Sequence, residues 1–236
     1  MHIKLAAEQI YVAVDLLMVT VKEGALGLLL SQRGENPFMG RWALPGRFVG
    51  REESAARAVD RLLDEMLPLP DVYYEQLYTF TDVNRDPRGR VISISYLVAV
   101  PWERLEQLLR ESATPMRLFR VQGDGEEMRL LGPDGERLTA IDMAFDHGAI
   151  IDTGVRRLAG KIDYTDIGFR FLQDDQAFSL SELQQIFEAV LRKPLDGSNF
   201  RRFIRSRYED SGRIEAINQA DKRKRGRPAA LYRWHK

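Results

Sequence analysis

One loop decides the fold that we predict for this sequence: Pro37-Phe38-Met39-Gly40-Arg41-Trp42-Ala43-Leu44-Pro45-Gly46-Arg47-Phe48-Val49. Its prolines and glycines are typical of irregular backbone and argue against a helix. The segment that follows, Ser54 to Leu67, carries apolar residues at the spacing of one buried helical face. The sequence therefore predicts an irregular loop that leads directly into an amphipathic helix.

Strand-like runs lie on both sides of this loop and helix. They precede it at Tyr11 to Thr20 and Leu26 to Leu30, and they follow it at Leu77 to Phe80 and Val91 to Val100. Strands on both sides of a helix indicate a mixed α/β layer fold. The later pattern predicts a helix at Trp102 to Arg110, a hairpin at Leu118 to Val121 and Met128 to Leu131, and a domain-linking helix at Ala144 to Leu158.

The composition excludes several classes of protein. The chain has 236 residues, of which 44% are hydrophobic, and this leaves ample material for a packed core. No apolar run approaches the roughly 20 residues of a membrane span, and the first residues do not resemble a signal peptide. We therefore expect a cytoplasmic protein that does not contact a membrane. The absence of cysteine excludes disulfides and thiolate metal sites, and three scattered histidines do not suggest a zinc site.

The charges are distributed unevenly along the chain. Acidic residues outnumber basic ones by seven in residues 1–154, and basic residues outnumber acidic ones by seven in residues 155–236. We therefore predict two domains with these bounds. A basic module joined to an acidic body favours nucleic-acid binding, although a solvated basic tail is an alternative explanation.

The basic module has the pattern of a helix-turn-helix. Ser179 and Glu182 form a capping box before an amphipathic helix, and a turn at Pro194 to Gly197 leads to a second helix that begins near Ser198. In this motif the second helix enters the major groove of DNA. The residues predicted to face DNA are Ser198, Asn199, Arg201, Arg202 and Arg205.

Two more strand-like runs, Ile214 to Ile217 and Ala230 to Trp234, follow the second helix and predict a wing. The segment between them is basic, and we predict that it contacts DNA through Lys222, Arg223, Lys224, Arg225 and Arg227. Its Arg-Gly-Arg-Pro unit suits a narrow minor groove rich in A·T pairs. The alternative is a small module for protein contacts or a solvated basic hairpin.

The loop and the helix after it resemble the Nudix family, whose motif is Gly-x5-Glu-x7-Arg-Glu-U-x-Glu-Glu-x-Gly-U, with U aliphatic. In that family the helix presents glutamates to a divalent metal ion, which polarises a pyrophosphate and activates water. Two registers of the motif fit this sequence, and both lack the full set of glutamates.

The first register is anchored on Leu44-Pro45-Gly46. This register keeps the motif residues Glu53, Arg61, Leu63 and Glu65. It departs from the motif at the two glycines, which are Arg47 and Pro68, and at two glutamate positions, which are Leu62 and Met66. The second register starts at Gly46 and keeps the carboxylates Glu52, Asp64 and Glu65. It places Asp60 at the motif arginine, Arg61 at the glutamate after it and Leu67 at the closing glycine. We prefer the first register because it preserves the loop and lets Arg61 pair with Glu53.

The missing carboxylates bear on function, because a hard cation depends on dense oxygen ligation. The resemblance therefore implies a fold that binds a pyrophosphate group without hydrolysing it, with no catalytic residue, bound metal or required cofactor. A functioning pyrophosphatase acting on ADP-ribose or another nucleoside diphosphate is the alternative. The acidic residues of the helix also fit a plain solvated face.

The segment from Phe80 to Ser93 places three arginines and a glycine between two strands. Arginine binds phosphate bidentately, whereas a solvated hairpin turn is the plain alternative. The Arg85-Asp86-Pro87-Arg88-Gly89-Arg90 pattern is similar to a loop of Nudix proteins that recognise ADP-ribose. The candidate ligand-binding residues are Arg33, Trp42, Arg47, Glu53, Glu65, Phe80, Arg85, Arg88 and Tyr96.

The joined modules resemble the Nudix-related, NrtR-like transcriptional regulators of NAD metabolism over nearly the whole chain. The resemblance implies an α/β (α+β) fold, in which a Nudix-like mixed-sheet sandwich carries a C-terminal winged helix-turn-helix. It also implies a homodimer that represses by binding a palindromic double-stranded DNA operator and is released by ADP-ribose or a related nucleotide.

Overall fold

The computed structural model describes residues 9–66, 72–111, 116–123, 127–221 and 229–236. The predicted DNA contacts Lys222, Arg223, Lys224, Arg225 and Arg227 lie outside the described residues. Among the residues described, no helix is both long enough and apolar enough to cross a membrane.

A mixed sheet forms the body of the molecule. Its strands are β1 Tyr11–Lys22, β2 Ala25–Gln32, β3 Trp42–Ala43, β4 Gly46–Phe48, β5 Tyr73–Phe80, β6 Val91–Ala99, β7 Met116–Gln122, β8 Arg129–Leu131 and β9 Arg137–Leu138. The order is β5-β6-β1-β2-β7-β8-β9, with β3 beside β2 and β4 beside β1. β1 and β6 run parallel, whereas β1 pairs antiparallel with both β2 and β4. The mixed α/β sheet predicted from the sequence is therefore confirmed.

The central strand β1 is buried on both faces, so its side chains serve two cores. Val14, Leu16 and Met18 pack on one side, whereas Leu17 and Val19 pack on the other, as the two-residue period of a strand requires. The first core is covered by α1 (Ala55–Met66) and α2 (Trp102–Glu111), and the second by α3 (His147–Lys161). The body is thus a layered sandwich.

The C-terminal region has the predicted helix-turn-helix and wing. It consists of β10 Phe178–Ser179, α4 Leu180–Leu191, α5 Gly197–Ile204, β11 Ile214–Asp221 and β12 Ala229–Trp234. The three strands form a sheet in the order β10-β12-β11. Ser179 begins α4 because its Oγ accepts the backbone N–H of Glu182 at 3.1 Å.

Helix α3 leads from the body towards the C-terminal region, and a 3-10 helix at Asp166–Phe171 follows it. Gly154 allows α3 to lie against the sheet, because a Cβ there would be 2.1 Å from Leu17 Cδ2. Near the end of α3, Lys161 Nζ lies 2.5 Å from each carboxylate oxygen of Glu75 in β5. One buried cluster continues from Leu17 in the sheet to Trp234 in the wing. The division at residues 154 and 155 stays a prediction, and it falls inside this helix.

Candidate functional site

A cleft of about 150 Å³ opens where β4 meets β1. Its lining is unusually rich in arginine, with two phenylalanines and three buried polar groups: Arg33, Arg47, Arg85, Arg88, Phe48, Phe145, Asp15, Asp86 and His147. A larger groove of about 690 Å³ lies beside α2 and β7. We place the candidate site in the smaller cleft because four of the predicted ligand-binding residues, Arg33, Arg47, Arg85 and Arg88, line it, whereas none lines the larger groove.

The glycine of the Leu-Pro-Gly loop positions β4 at the cleft. A Cβ on Gly46 would lie 2.2 Å from Asp15 Oδ1 and 2.9 Å from the Val14 carbonyl oxygen. Only a glycine therefore permits this close pairing of β4 with β1. The pairing places the next two residues, Arg47 and Phe48, in the cleft lining.

A buried polar network forms the base of the cleft. The side chain of Arg85 is 3% exposed, and it donates to both carboxylate oxygens of Asp146 at 2.9 and 2.6 Å. Its Nη2 also lies 3.5 Å from Asp15 Oδ2. The guanidinium of Arg85 is thus engaged by these carboxylates at the base of the cleft, and its predicted contact with a ligand stays a prediction.

His147 completes this base. Its Nδ1 accepts the backbone N–H of Leu44 at 2.9 Å, which ties the start of α3 to the loop. Complete burial lowers the pKa of His147, although Asp15 nearby acts in the opposite direction. The imidazole therefore stays neutral and serves as a structural acceptor.

Two arginines meet at the mouth of the cleft around Phe145. The guanidinium carbon of Arg33 lies 4.7 Å from the ring centroid of Phe145, and that of Arg88 lies 5.5 Å away. Burial and the nearby charge of Arg88 lower the pKa of Arg33. Arg88 also donates to Asp86 at 3.0 and 2.7 Å, yet its side chain remains 46% exposed. An anionic group would relieve the repulsion between these cations.

A chain of ion pairs runs along the outer face of α1. Arg61 donates to Glu53 at 3.2 and 2.6 Å, as the first motif register predicts. Arg47 pairs with both oxygens of Glu65. The hydrogen bond from Arg61 lowers the pKa of Glu53.

These residues do not fit a divalent metal ion. Leu62, which stands at a glutamate position of the motif, is 5% exposed and lies on the buried face of α1. In the portion of the chain that the structure describes, no group of three or more His, Cys, Asp or Glu residues is arranged to hold a metal.

The structure does not bring the predicted aromatic residues to the cleft. Trp42 is buried against Phe119, with ring centroids 4.9 Å apart. Tyr96 is buried beside Tyr74 in the core under α1. Phe80 packs on the core at the other face of the sheet. These three rings pack in or against the two cores and do not line this cleft, and their binding of a ligand stays a prediction.

Two aromatic residues of the cleft, Phe48 and Phe145, were missed by the sequence-based prediction. Both lie next to residues that it did emphasise, since Phe48 follows Arg47 and Phe145 belongs to the Phe145-Asp146-His147 junction. Phe145 has a φ of 54°, a left-handed conformation that is uncommon for a bulky side chain. Such strained residues often occur at functional sites.

The second candidate surface is α5. Its buried face consists of Phe200 and Ile204. The five residues predicted to face DNA are all exposed: Ser198, Asn199, Arg201, Arg202 and Arg205. Asp196 caps α5 by accepting the Asn199 N–H at 2.8 Å, and Arg202 donates to Asn199 Oδ1 at 2.7 Å. The helix therefore presents a polar, basic surface to solvent.

Comparison with known proteins places this architecture in a family. Residues 168–234 match the model of the NrtR DNA-binding winged helix domain. The chain is 31% identical to the ADPR responsive transcriptional repressor NtrR of Acinetobacter baylyi, over 94% of this chain and 80% of the relative. The chain belongs to the NrtR family.

Solved structures agree with membership of the NrtR family. Shewanella oneidensis NrtR, crystallised with a 27mer DNA, matches with a TM-score of 0.73 and 29% identity, over 95% of this chain and 93% of that chain. A MutT/nudix family protein from Enterococcus faecalis matches with a TM-score of 0.74 and 25% identity, over 98% and 90% of the two chains. The Nudix-like sandwich with a C-terminal winged helix is therefore confirmed.

Proposed function

We propose that this protein is a transcriptional repressor that binds operator DNA through its winged helix and senses ADP-ribose in its Nudix-like cleft. The observation that carries the proposal is one buried cluster that includes Leu158 of α3, Val190 of α4 and Phe200 of α5, and so connects the body with the arginine-lined cleft to the helix with the basic exposed face. Its similarity to an ADPR responsive repressor supports the same function.

The cleft suits a ligand that carries both phosphates and an aromatic base. Arg33, Arg47 and Arg88 provide guanidinium groups, which bind phosphate oxygens bidentately. Phe48, which is 41% exposed, and Phe145 offer ring surfaces for a base. ADP-ribose has both kinds of group, and we assign its diphosphate to the three arginines.

The DNA-binding half of the proposal assigns α5 to the major groove. Asn199, Arg201 and Arg202 lie on the exposed face of α5, which is the face that recognition helices turn to base edges. One helix reads only a few base pairs, so we propose a homodimer on a palindromic operator, which doubles the readout. The similar Shewanella structure was solved with DNA. We expect this regulator to act in the cytoplasm on genes of NAD metabolism.

We further propose that the cleft does not hydrolyse its ligand. Hydrolysis by the Nudix route depends on carboxylates that hold metal ions. Here Glu53 and Glu65 are paired with arginines, and a leucine replaces a motif glutamate. A pyrophosphatase with a tethered basic module is the competing function.

Two measurements on the full chain separate these functions. Selection of duplexes from a random DNA pool should enrich one palindromic sequence, and ADP-ribose incubated with the protein and Mg²⁺ or Mn²⁺ should remain intact by chromatography. Release of AMP and ribose 5-phosphate at an ordinary enzymatic rate, abolished by Glu65→Gln, would support the pyrophosphatase instead. Failure to enrich any sequence would contradict the repressor.

A further inference from the structure

We propose that Arg47 is a built-in cation that takes the place of a divalent metal ion in the cleft, so that protein cations alone bind the diphosphate of the effector. This inference rests on the proposed function for the identity of the effector. It concerns a residue that stands where the Nudix motif has its first glycine.

Arg47 connects the cleft lining to helix α1, because it pairs in β4 with Val14, which packs under α1. Arg47 lines the cleft from β4. Its Nη1 donates to Glu65 Oε1 at 3.1 Å, and its Nη2 pairs with the second oxygen of the same carboxylate. Arg61 Nη1 also lies 3.9 Å from Glu65 Oε1, while Arg61 pairs with Glu53. Both carboxylates that survive from the motif are therefore engaged by guanidinium groups.

The charges around Glu53 and Glu65 oppose the binding of a metal ion by these two carboxylates. The two carboxylates and two guanidiniums alternate and neutralise one another, so a divalent cation would meet two positive charges within a few ångströms of its ligands. Hard cations require several unengaged oxygen ligands. A metal ion would have to displace Arg47 to reach Glu65.

Arg47 nevertheless has capacity left for a ligand. A guanidinium carries five N–H donors, and Glu65 accepts two from Arg47. The side chains of Arg47 and Glu65 are 41% and 45% exposed, and a pair so exposed contributes little to folding stability. Arg47 belongs to the same cleft lining as Arg33 and Arg88. We infer that Glu65 orients Arg47 for the diphosphate.

The first test measures metal binding without nucleotide. Electron paramagnetic resonance of Mn²⁺ titrated into the full chain should show no binding at Glu65, so that wild type and Glu65→Gln give the same signal. One Mn²⁺ bound per chain by the wild type, and lost in Glu65→Gln, would overturn the proposal.

The second test measures ADP-ribose affinity by calorimetry. Wild-type affinity should be the same in excess EDTA as in millimolar Mg²⁺. In EDTA, Arg47→Met should weaken binding about tenfold or more, since a hydrogen bond to a charged group contributes about 1.5–3 kcal/mol, and Arg47→Lys should retain part of the affinity. Arg57→Ala, which removes an exposed arginine from α1, is the matched control and should bind as the wild type does.

Two outcomes of the second test would overturn the proposal: wild-type binding that requires Mg²⁺, or Arg47→Met binding as tightly as Arg57→Ala. Circular dichroism of each variant excludes a folding defect as the cause of lost affinity. If ADP-ribose binds in neither buffer, the proposed function fails instead, and the Mn²⁺ measurement still decides whether Arg47 excludes a metal ion.

Discussion

His147 connects the chemistry of a single residue to the stability of the cleft. It is buried, its Nδ1 accepts the Leu44 N–H, and its pKa is lowered by burial. In the unfolded chain a histidine has a pKa near 6.5, so the unfolded state binds the proton more tightly than the native state does. The native state therefore loses stability as the pH falls through and below that value.

We accordingly predict a steeper acid dependence for wild type than for His147→Asn, in which an amide oxygen can accept the Leu44 N–H without titrating. Between about pH 6.5 and the lowered native pKa, the wild-type unfolding free energy should fall by up to roughly 1.4 kcal/mol per pH unit from this group. Urea unfolding at several pH values measures the slopes. His235→Asn, at an exposed histidine, is the control. Equal slopes for wild type and His147→Asn would contradict the assignment.

The sequence predicted the arginines that line the cleft better than the aromatic residues that line it. Arg33 and Arg88 lie in loops and Arg47 in the short strand β4, and the structure places all three in the lining. Large aromatic residues fill cores more often than ligand sites, so sequence alone could not separate Phe145 from Trp42. Only the tertiary structure decides which ring reaches the cleft.

The ends of the helices and strands depend on local backbone conformation, which the spacing of apolar residues does not report. The sequence predicted a helix from Ala144, but α3 begins at His147, because Phe145 has a positive φ that no right-handed helix accepts. The edge strand β5 begins at Tyr73, earlier than the predicted Leu77, because polar residues such as Gln76 hide the alternating pattern. Helix α1 begins at Ala55, one residue after its predicted start, since a wide apolar face is a strong signal. The predicted last residue, Leu67, lies outside the described residues.

Helix α5 is the element that we expect to read the operator sequence. If α5 reads base edges, Asn199→Ala and Arg202→Ala should reduce the preference for the selected duplex over random DNA, while general affinity changes little. Replacing Arg225 and Arg227 by Ala should instead weaken binding to all DNA and reduce the logarithmic salt slope by about 0.9 per lost phosphate contact. Fluorescence anisotropy over a salt series measures both quantities.

Gln185→Ala, at an exposed position of α4, is the control for these substitutions. Equal losses on selected and random DNA for every variant would exclude α5 as the recognition helix.

At the scale of the whole molecule, the cleft is assembled from distant parts of the chain. Leu44 and His147, which hydrogen-bond, are separated by 103 positions, and Asp15 and Arg85 by 70. The parallel pairing of β1 with β6 brings Asp15 close to Arg85, and a parallel bridge between Trp42 and Met143 brings Leu44 close to His147. Sequence patterns predicted the elements and the class of fold, but they carry no information on which strands become neighbours.

The shared core suggests how ligand and DNA affect each other. Helix α3 starts at the cleft with His147 and ends at Lys161, whose pairing with Glu75 ties it to the sheet. Leu158 and Val190 of α4 belong to the same buried cluster. In the dimer that we propose, a shift of α3 on ligand binding would move α4 and change the spacing of the two recognition helices, which operator binding requires to be fixed.

The most direct test of this account is the affinity for the selected operator with and without saturating ADP-ribose, measured by fluorescence anisotropy. We predict that ADP-ribose lowers operator affinity by about 5- to 150-fold, and that operator lowers ADP-ribose affinity by the same factor, because coupling between binding sites is reciprocal. Arg88→Ala should bind operator as the wild type does and no longer respond to ADP-ribose. Tight binding of ADP-ribose in calorimetry with no change in operator affinity would contradict the account.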